Sequence, residues 1–294
     1  MKKAILYKII VFGATVMAAG ASTLLVGHRG GDITNTPENT IAAIEDSFTK
    51  GVYGHEIDVR ETSDGELMLM HDSMVDRTTD GTGAFSSFTA AQLRLLDAGA
   101  WKDAAYSGEQ VPFFSDALSS IKGNGSRVYI DAPFINSPST YSTVFSSVGF
   151  AESNVTFLTY FNSQSANLIS TFADAEVFRS YFGNAYDAST MPAEFSAIEA
   201  SGVDGVTIMQ SQYSVEYVTA IHNAGLKVAV VGFGSSSEAE TLGYIANGVD
   251  ELWYDDLVNN VSKFNDGNGV LTVPEPSSMC FIFIGCSATL IRRR

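Results

Sequence analysis

Cysteine is almost missing from this 294-residue chain: there are 2, Cys280 and Cys286, both close to the end. Neither a disulfide framework nor a thiolate metal site can form in the body that precedes them. Basic residues are also scarce, 17 against 33 acidic for a net charge of −16, and six of the 17 lie at the two ends as Lys2, Lys3, Lys8, Arg292, Arg293 and Arg294. The body is therefore more acidic than the whole, a surface that repels nucleic acid and tolerates hard cations, so no nucleic-acid partner is expected. Long hydrophobic runs are lacking too. The two longest, Ile9–Ala18 and Met279–Ile291, fall short of the ~20 residues a membrane helix needs. No fixed-period repeat is present. Histidine is limited to 4 positions, 28, 55, 71 and 222, and the first three of them fall in one dense stretch of charge.

The chain divides into four parts. Lys2, Lys3 and Lys8 precede the first apolar run, and Ala19-Gly20-Ala21 supplies a small-x-small pattern, so residues 1–21 read as a secretory signal peptide cut after Ala21; the alternative is an uncleaved anchor. Residues 22–258 form one large domain. Residues 259–273, centred on Asn265-Asp266-Gly267-Asn268-Gly269, read as a linker. Residues 274–294 run Pro274-Glu275-Pro276, a short apolar segment, then three arginines. This order resembles the PEP-CTERM sorting signal of bacterial envelope proteins, which implies an exosortase-type processing enzyme as partner, only transient contact with membrane through the terminal segments, and an exported location in the envelope or outside the cell. A simple tail anchor is the alternative.

Within the body, strand-like runs alternate with helix-like ones: Leu24–His28, Tyr53–Val59, Arg127–Asp131, Val155–Tyr160, Glu176–Tyr181, Asp204–Ile208, Lys227–Val231 and Asp250–Tyr254 are separated by helix candidates such as Pro37–Lys50, Phe114–Lys122, Ser163–Phe172, Pro192–Ser201, Val215–Ala224 and Ser236–Asn247. Eight strands in β/α alternation predict a TIM-type (β/α)8 barrel. The rhythm breaks from Ser73 to about Pro112, which reads as an insertion with one short helix near Ala90–Leu96.

Chemistry concentrates between Gly27 and Gly83. His28 and Arg29 end the first strand among glycines that permit close backbone approach. Period-two alternation from Tyr53 to Arg60 puts Glu56 and Asp58 on one face and His55 on the other, and paired carboxylates on one face suggest a cation. Thr62-Ser63-Asp64-Gly65 is a turn signal, so Glu66–His71 is expected to fold back as a hairpin. Pairing Glu61 with Glu66 would set His71 level with Glu56, about 5 Å away.

These motifs, His28-Arg29-Gly30, Pro37-Glu38-Asn39-Thr40, Glu56-x-Asp58-Val59, Thr62-x-Asp64-Gly65, His71-Asp72 and Arg77-Thr78-Thr79, resemble in order and spacing the glycerophosphodiester phosphodiesterases. The likeness extends through Gly108-Glu109-x-Val111-Pro112 and more loosely to about residue 257. It implies a barrel with a small subdomain over its mouth, and a reaction in which the substrate's own glycerol hydroxyl attacks first to give a cyclic phosphate that water then opens. Such an internal nucleophile has a large entropic advantage.

A phosphodiester catalyst must offset anionic charge and move two protons. Glu56, Asp58 and Asp131, at the ends of the second and third barrel strands, are the expected ligands of one divalent cation, Ca²⁺ or Mg²⁺; Arg29 would bind the phosphate, and His28 and His71 would share the acid and base roles. Glu38 either charges the start of its helix or belongs to the site. Asp72 and Arg77 are expected to fix the hairpin loop, and His55 and His222 to be structural. Two departures stand out. Where the family usually carries Glu-x-Lys, this chain reads Asp131-Ala132-Pro133, with a shorter carboxylate and no lysine, and Val231-Gly232-Phe233-Gly234 replaces a Trp-Thr-x-Asn pattern. The expected function is a secreted hydrolase of glycerophosphodiesters. Alternatives are a phospholipase of related barrel type, with Phe85, Phe88, Trp101 and Phe113 meeting a lipid tail, and a catalytically weak envelope protein that binds a phosphorylated polymer.

Overall fold

Ten strands follow in chain order: β1 (Ser22–Gly27), β2 (Gly54–Glu61), β3 (Leu67–Leu69), β4 (Arg127–Asp131), β5 (Val155–Thr159), β6 (Glu176–Ser180), β7 (Gly205–Met209), β8 (Lys227–Gly232), β9 (Glu251–Tyr254) and β10 (Val270–Thr272). The structure is a computed structural model and describes residues 22–131, 137–182, 186–232, 234, 236–258 and 264–272; the expected signal peptide and sorting tail lie outside these. All strands but β3 and β10 pair in parallel with their neighbours, and β1 pairs with both β2 and β9, so the sheet closes into an eight-stranded barrel. Seven side chains from six different strands, Val26, Tyr129, Leu158, Phe178, Ala229, Val231 and Trp253, meet in one buried cluster. Only the inside of a barrel brings such residues together, each strand contributing alternate positions.

The outer faces of the strands pack on helices α1 (Ile41–Thr49), α3 (Phe114–Gly123), α4 (Pro138–Val148), α5 (Asn162–Thr171), α6 (Met191–Glu199), α7 (Val215–Asn223) and α8 (Glu238–Ala246); the short α2 (Ala90–Leu93) lies in the insertion. Helix α4 was not foreseen, because Ser and Thr dominate Pro138–Val148 and depress its helical propensity. Its ends nonetheless carry clear signals, Pro138 in the first turn and Gly149 in the left-handed conformation after the last. Helix α1 starts at Ile41 rather than Pro37. Thr40 caps it by accepting from Ala43 N–H, worth about 1 kcal/mol, and this frees Pro37, Glu38 and Asn39 to form a loop.

Two expectations are corrected. The hairpin register is Glu61 opposite Leu67, not Glu66, because Thr62 closes the turn: its N–H donates to Glu66 O at 2.9 Å and its hydroxyl accepts from Glu66 N–H at 3.0 Å. The slip of one residue sets Met70 beside Asp58, whose carbonyl accepts from Met70 N–H, and His71 passes beyond the ladder. The stretch expected as a linker is, over residues 264–272, folded onto the barrel: β10 runs antiparallel to β1, with Leu271 and Phe264 buried.

Between Met68 and Val111 a second small core forms from Met68, Met70, Val75, Phe85, Ala90, Leu93, Ala98 and Val111, with Phe88 and Phe113 packed on it. Trp101 donates its indole N–H to Ala98 O. The aromatics considered for a lipid tail thus mainly hold the insertion together. No helix among the described residues is long and apolar enough to cross a membrane.

Candidate active site

Adjacent parallel strands place their carboxylates by register. Glu56 and Asp58 share the inner face of β2, and Asp58 pairs directly with Asp131, the last residue of β4. One oxygen from each of Glu56, Asp58 and Asp131 falls within 4.8 Å of the others. Burial pushes the Glu56 carboxyl well up, with the charges of Asp58 and Asp131 adding to it, and Asp131 is pushed up to about 7 by burial and then by Asp58. Three crowded carboxylates, with Asp131 Oδ1 buried and without a hydrogen-bond partner, fit a hard divalent cation, which would relieve the repulsion and take up the unpaired oxygen.

The loop after β1 is built to meet them. Arg29 (φ 50°) and Asn39 (φ 55°) are the two non-glycine residues with positive φ among those described, a conformation that costs free energy and persists where surrounding contacts impose it. Both are held by the carboxylate strand. Arg29 N–H donates to Glu56 Oε2 at 2.7 Å, while Asn39 gives its side-chain N–H to Asp58 Oδ2 at 2.7 Å and accepts from Asp58 N–H at 3.0 Å. The Arg29 guanidinium reaches Glu38 at 3.0 Å and lies 3.8 Å from Asp58, and its buried Nε–H has no hydrogen-bond partner. His55, on the opposite face of β2, is buried with Nδ1 3.0 Å from both Gly30 O and Ser47 Oγ. Desolvation holds its pKa down to about 4. It is a neutral strut beneath the Arg29 turn.

His28 follows β1 with Nε2 3.7 Å from Glu56 Oε2 and Nδ1 2.6 Å from Asp255 Oδ1. The other Asp255 oxygen accepts from Gly234 N–H. His71, about two-fifths exposed, has Nδ1 2.7 Å from Asp72 Oδ1, and Arg60 fixes its backbone by donating to the carbonyls of Met70 and His71. His71 shares a narrow cleft with Glu38 and Asn39, which brings it to the carboxylate strand from the insertion side. Glu38 does not cap the helix. It accepts from Arg29 and, through two bonds of 2.7 Å, from Arg77; burial raises its pKa, but the Arg77 bonds and both arginine charges outweigh that and hold it below the ordinary range. Arg77 also binds Asp72, so Glu38, Arg77 and Asp72 link Arg29 to His71.

All eight residues singled out from sequence therefore lie around the carboxyl ends of β1, β2 and β4, the end where barrel sites form. Asp255, Asn39, Arg60 and Tyr160, which donates to Asp131 Oδ2 at 2.6 Å, were not foreseen. A signal existed for Asp255, which directly follows a barrel strand. His222 pairs with Asp250 on the outside, as a structural residue should.

A closed parallel barrel with three carboxylates, an arginine and two carboxylate-paired histidines at its carboxyl end defines a TIM-barrel hydrolase type of site. The chain belongs to the glycerophosphoryl diester phosphodiesterase family, which it matches over residues 28–258. It is 46% identical over 90 residues to a glycerophosphodiester phosphodiesterase of Caldanaerobacter subterraneus, covering 31% of this chain and 37% of the relative. Against human glycerophosphodiester phosphodiesterase 1 it is 38% identical over 108 residues, covering 36% and 32%. The matched segments thus span well under two thirds of these relatives. Among solved structures, a glycerophosphodiester phosphodiesterase from Agrobacterium tumefaciens superposes with TM-score 0.68 at 26% identity, covering 80% of this chain and 97% of the other. A phosphodiesterase from Oleispira antarctica, solved with the product sn-glycerol-3-phosphate, has the same fold with TM-score 0.69 at 24% identity, covering 83% and 96%.

Proposed function

We propose that this protein is an exported, divalent-cation-dependent phosphodiesterase that hydrolyses glycerophosphodiesters to an alcohol and glycerol phosphate. The observation that carries this is the convergence of His28, Arg29 and the Glu56, Asp58 and Asp131 carboxylates at one barrel mouth. Glu56, Asp58 and Asp131 would hold Ca²⁺ or Mg²⁺. The cation, when bound, supplies positive charge against the anionic oxygens of the substrate.

Arg29 is placed to bind a phosphoryl oxygen through its unpaired Nε–H, while Glu56 and Glu38 fix its backbone and head. His28 turns Nδ1 to Asp255, so its Nε2 faces the carboxylates and can accept the proton of the attacking hydroxyl. His71 is oriented in the same way by Asp72, which leaves its Nε2 to deliver a proton to the departing alkoxide. The lower exposure of His28 suits a group that works beneath a bound phosphate, and the higher exposure of His71 suits one that meets a leaving group of varied structure. Export rests on the apolar segments at the two ends, with residues 274–294 as the substrate of an exosortase-type enzyme.

Assay of glycerophosphodiesters against lipid vesicles, with and without chelator, tests the proposal. Release of glycerol phosphate from soluble diesters, abolished by chelator, supports it. Release only from vesicles would favour the phospholipase reading, and binding without turnover the polymer-binding one.

A further inference from the structure

We propose that Tyr160 is a positioning residue for the third carboxylate: its hydroxyl engages Asp131 Oδ2 and leaves Oδ1 as the one oxygen that Asp131 presents to a cation. The inference rests on the reading of Glu56, Asp58 and Asp131 as a cation site and adds a residue that no part of that reading requires.

Asp131 pairs with Leu158 on β5, and Leu158 points into the barrel. Tyr160 lies two residues further on, so it shares the inward side and stands one step closer to the mouth. Its O–H donates to Asp131 Oδ2 at 2.6 Å. The phenol is not free to leave: Tyr160 N–H is bonded to Gln164 Oε1 at 3.0 Å, and the ring packs at 6.2 Å from the Phe182 ring. Asp131 is consequently asymmetric. One oxygen has a hydrogen-bond partner from just beyond the neighbouring strand and the other is buried without one, and an oxygen of Asp131 lies within 4.8 Å of oxygens from Glu56 and Asp58.

This arrangement answers the short side chain at position 131. An aspartate has less reach than a glutamate and can meet a cation with either oxygen, or with both. A neutral hydroxyl that occupies one oxygen selects the rotamer without cancelling the carboxylate's charge, whereas a cationic partner would compete with the metal. Tyr160 thus stiffens a ligand that would otherwise swing, in a chain whose third-strand sequence, Asp131-Ala132-Pro133, carries no lysine.

The test is a double-mutant cycle read as the dissociation constant of Ca²⁺, by titration calorimetry on the full chain stripped with chelator. Tyr160→Phe keeps the ring and removes one oxygen, and it is expected to weaken Ca²⁺ binding by about 10- to 100-fold. In an Asp131→Ala background, the same change should have no further effect. Unchanged affinity in Tyr160→Phe, or an equal loss in both backgrounds, would overturn the role of Tyr160, the second by exposing a general packing defect. A wild-type chain that takes up neither Ca²⁺ nor Mg²⁺ would overturn the cation site itself and the role of Tyr160 with it.

Discussion

His28 and Asp255, 227 positions apart in the chain, meet at 2.6 Å between Nδ1 and Oδ1. Their strands, β1 and β9, are neighbours that close the barrel, so closure of the fold and orientation of the imidazole are one event. A hydrogen bond to a charged group is worth about 1.5–3 kcal/mol, which corresponds to roughly 10- to 100-fold in rate. Asp255→Asn is expected to lower turnover by that amount with Ca²⁺ affinity unchanged, as read by steady-state kinetics and calorimetry on the same preparation. An unaltered rate would show that Asp255 does not orient His28 for catalysis.

His28→Ala and His71→Ala should each lower turnover by on the order of 10² or more, because each removes a positioned proton carrier. Neither is among the carboxylate ligands, so the dissociation constant of Ca²⁺ should change little. A near-normal rate in either variant would exclude the division of acid and base roles between the two.

The far end of the barrel carries a pH dependence of its own. Glu251 is buried inside it, accepting from Tyr129 O–H and Trp253 Nε1–H at 3.0 Å each, and burial pushes its pKa up to about 7 from 4.5. As pH rises past 4.5 the unfolded chain loses this proton first, so between about 4.5 and 7 the folded state binds more protons and stability falls with rising pH. The contribution is on the order of 1–3 kcal/mol. Glu251→Gln should flatten that slope and leave the protein more stable than wild type at pH 8, measured as urea midpoints at saturating Ca²⁺ so that Glu56 and Asp131 stay ionised. A variant with an undiminished slope would assign the dependence elsewhere.

The apolar ends should be missing from mature protein made in its native host. Intact mass is expected to show loss of residues 1–21 and of the segment after about Pro276. Retention of Arg294 in surface-located protein would favour a tail anchor.

The eight barrel strands were legible because each is a short apolar run followed by a periodic helical stretch, and strands buried on both faces have no other way to read. The site was legible where neighbours in sequence are neighbours in space: Glu56 and Asp58 on one strand, His28 beside Arg29. What failed was what depends on a single hydrogen bond. Thr62 closing the turn shifted the hairpin by one residue, and Thr40 capping α1 released Glu38 from the helix into the arginine pair. Asp255, Asn39 and Tyr160 act through partners 227, 19 and 29 positions away, distances that composition and periodicity do not register. β10 escaped notice because three residues among glycines and asparagines resemble a tether until a strand edge, here β1, is there to pair with them.

On the proposed reading, the carboxylates of β2 and β4, with the two histidines, form a cation-dependent phosphodiesterase site. It is tested most directly by glycerol phosphate release from a soluble glycerophosphodiester by the chelator-treated chain, before and after a divalent cation is restored. No release is expected in chelator, and recovery with Ca²⁺ is expected to be at least as complete as with Mg²⁺, since the shorter Asp131 suits the longer bonds of calcium. Release that continues undiminished in chelator, or none with either cation, would contradict it.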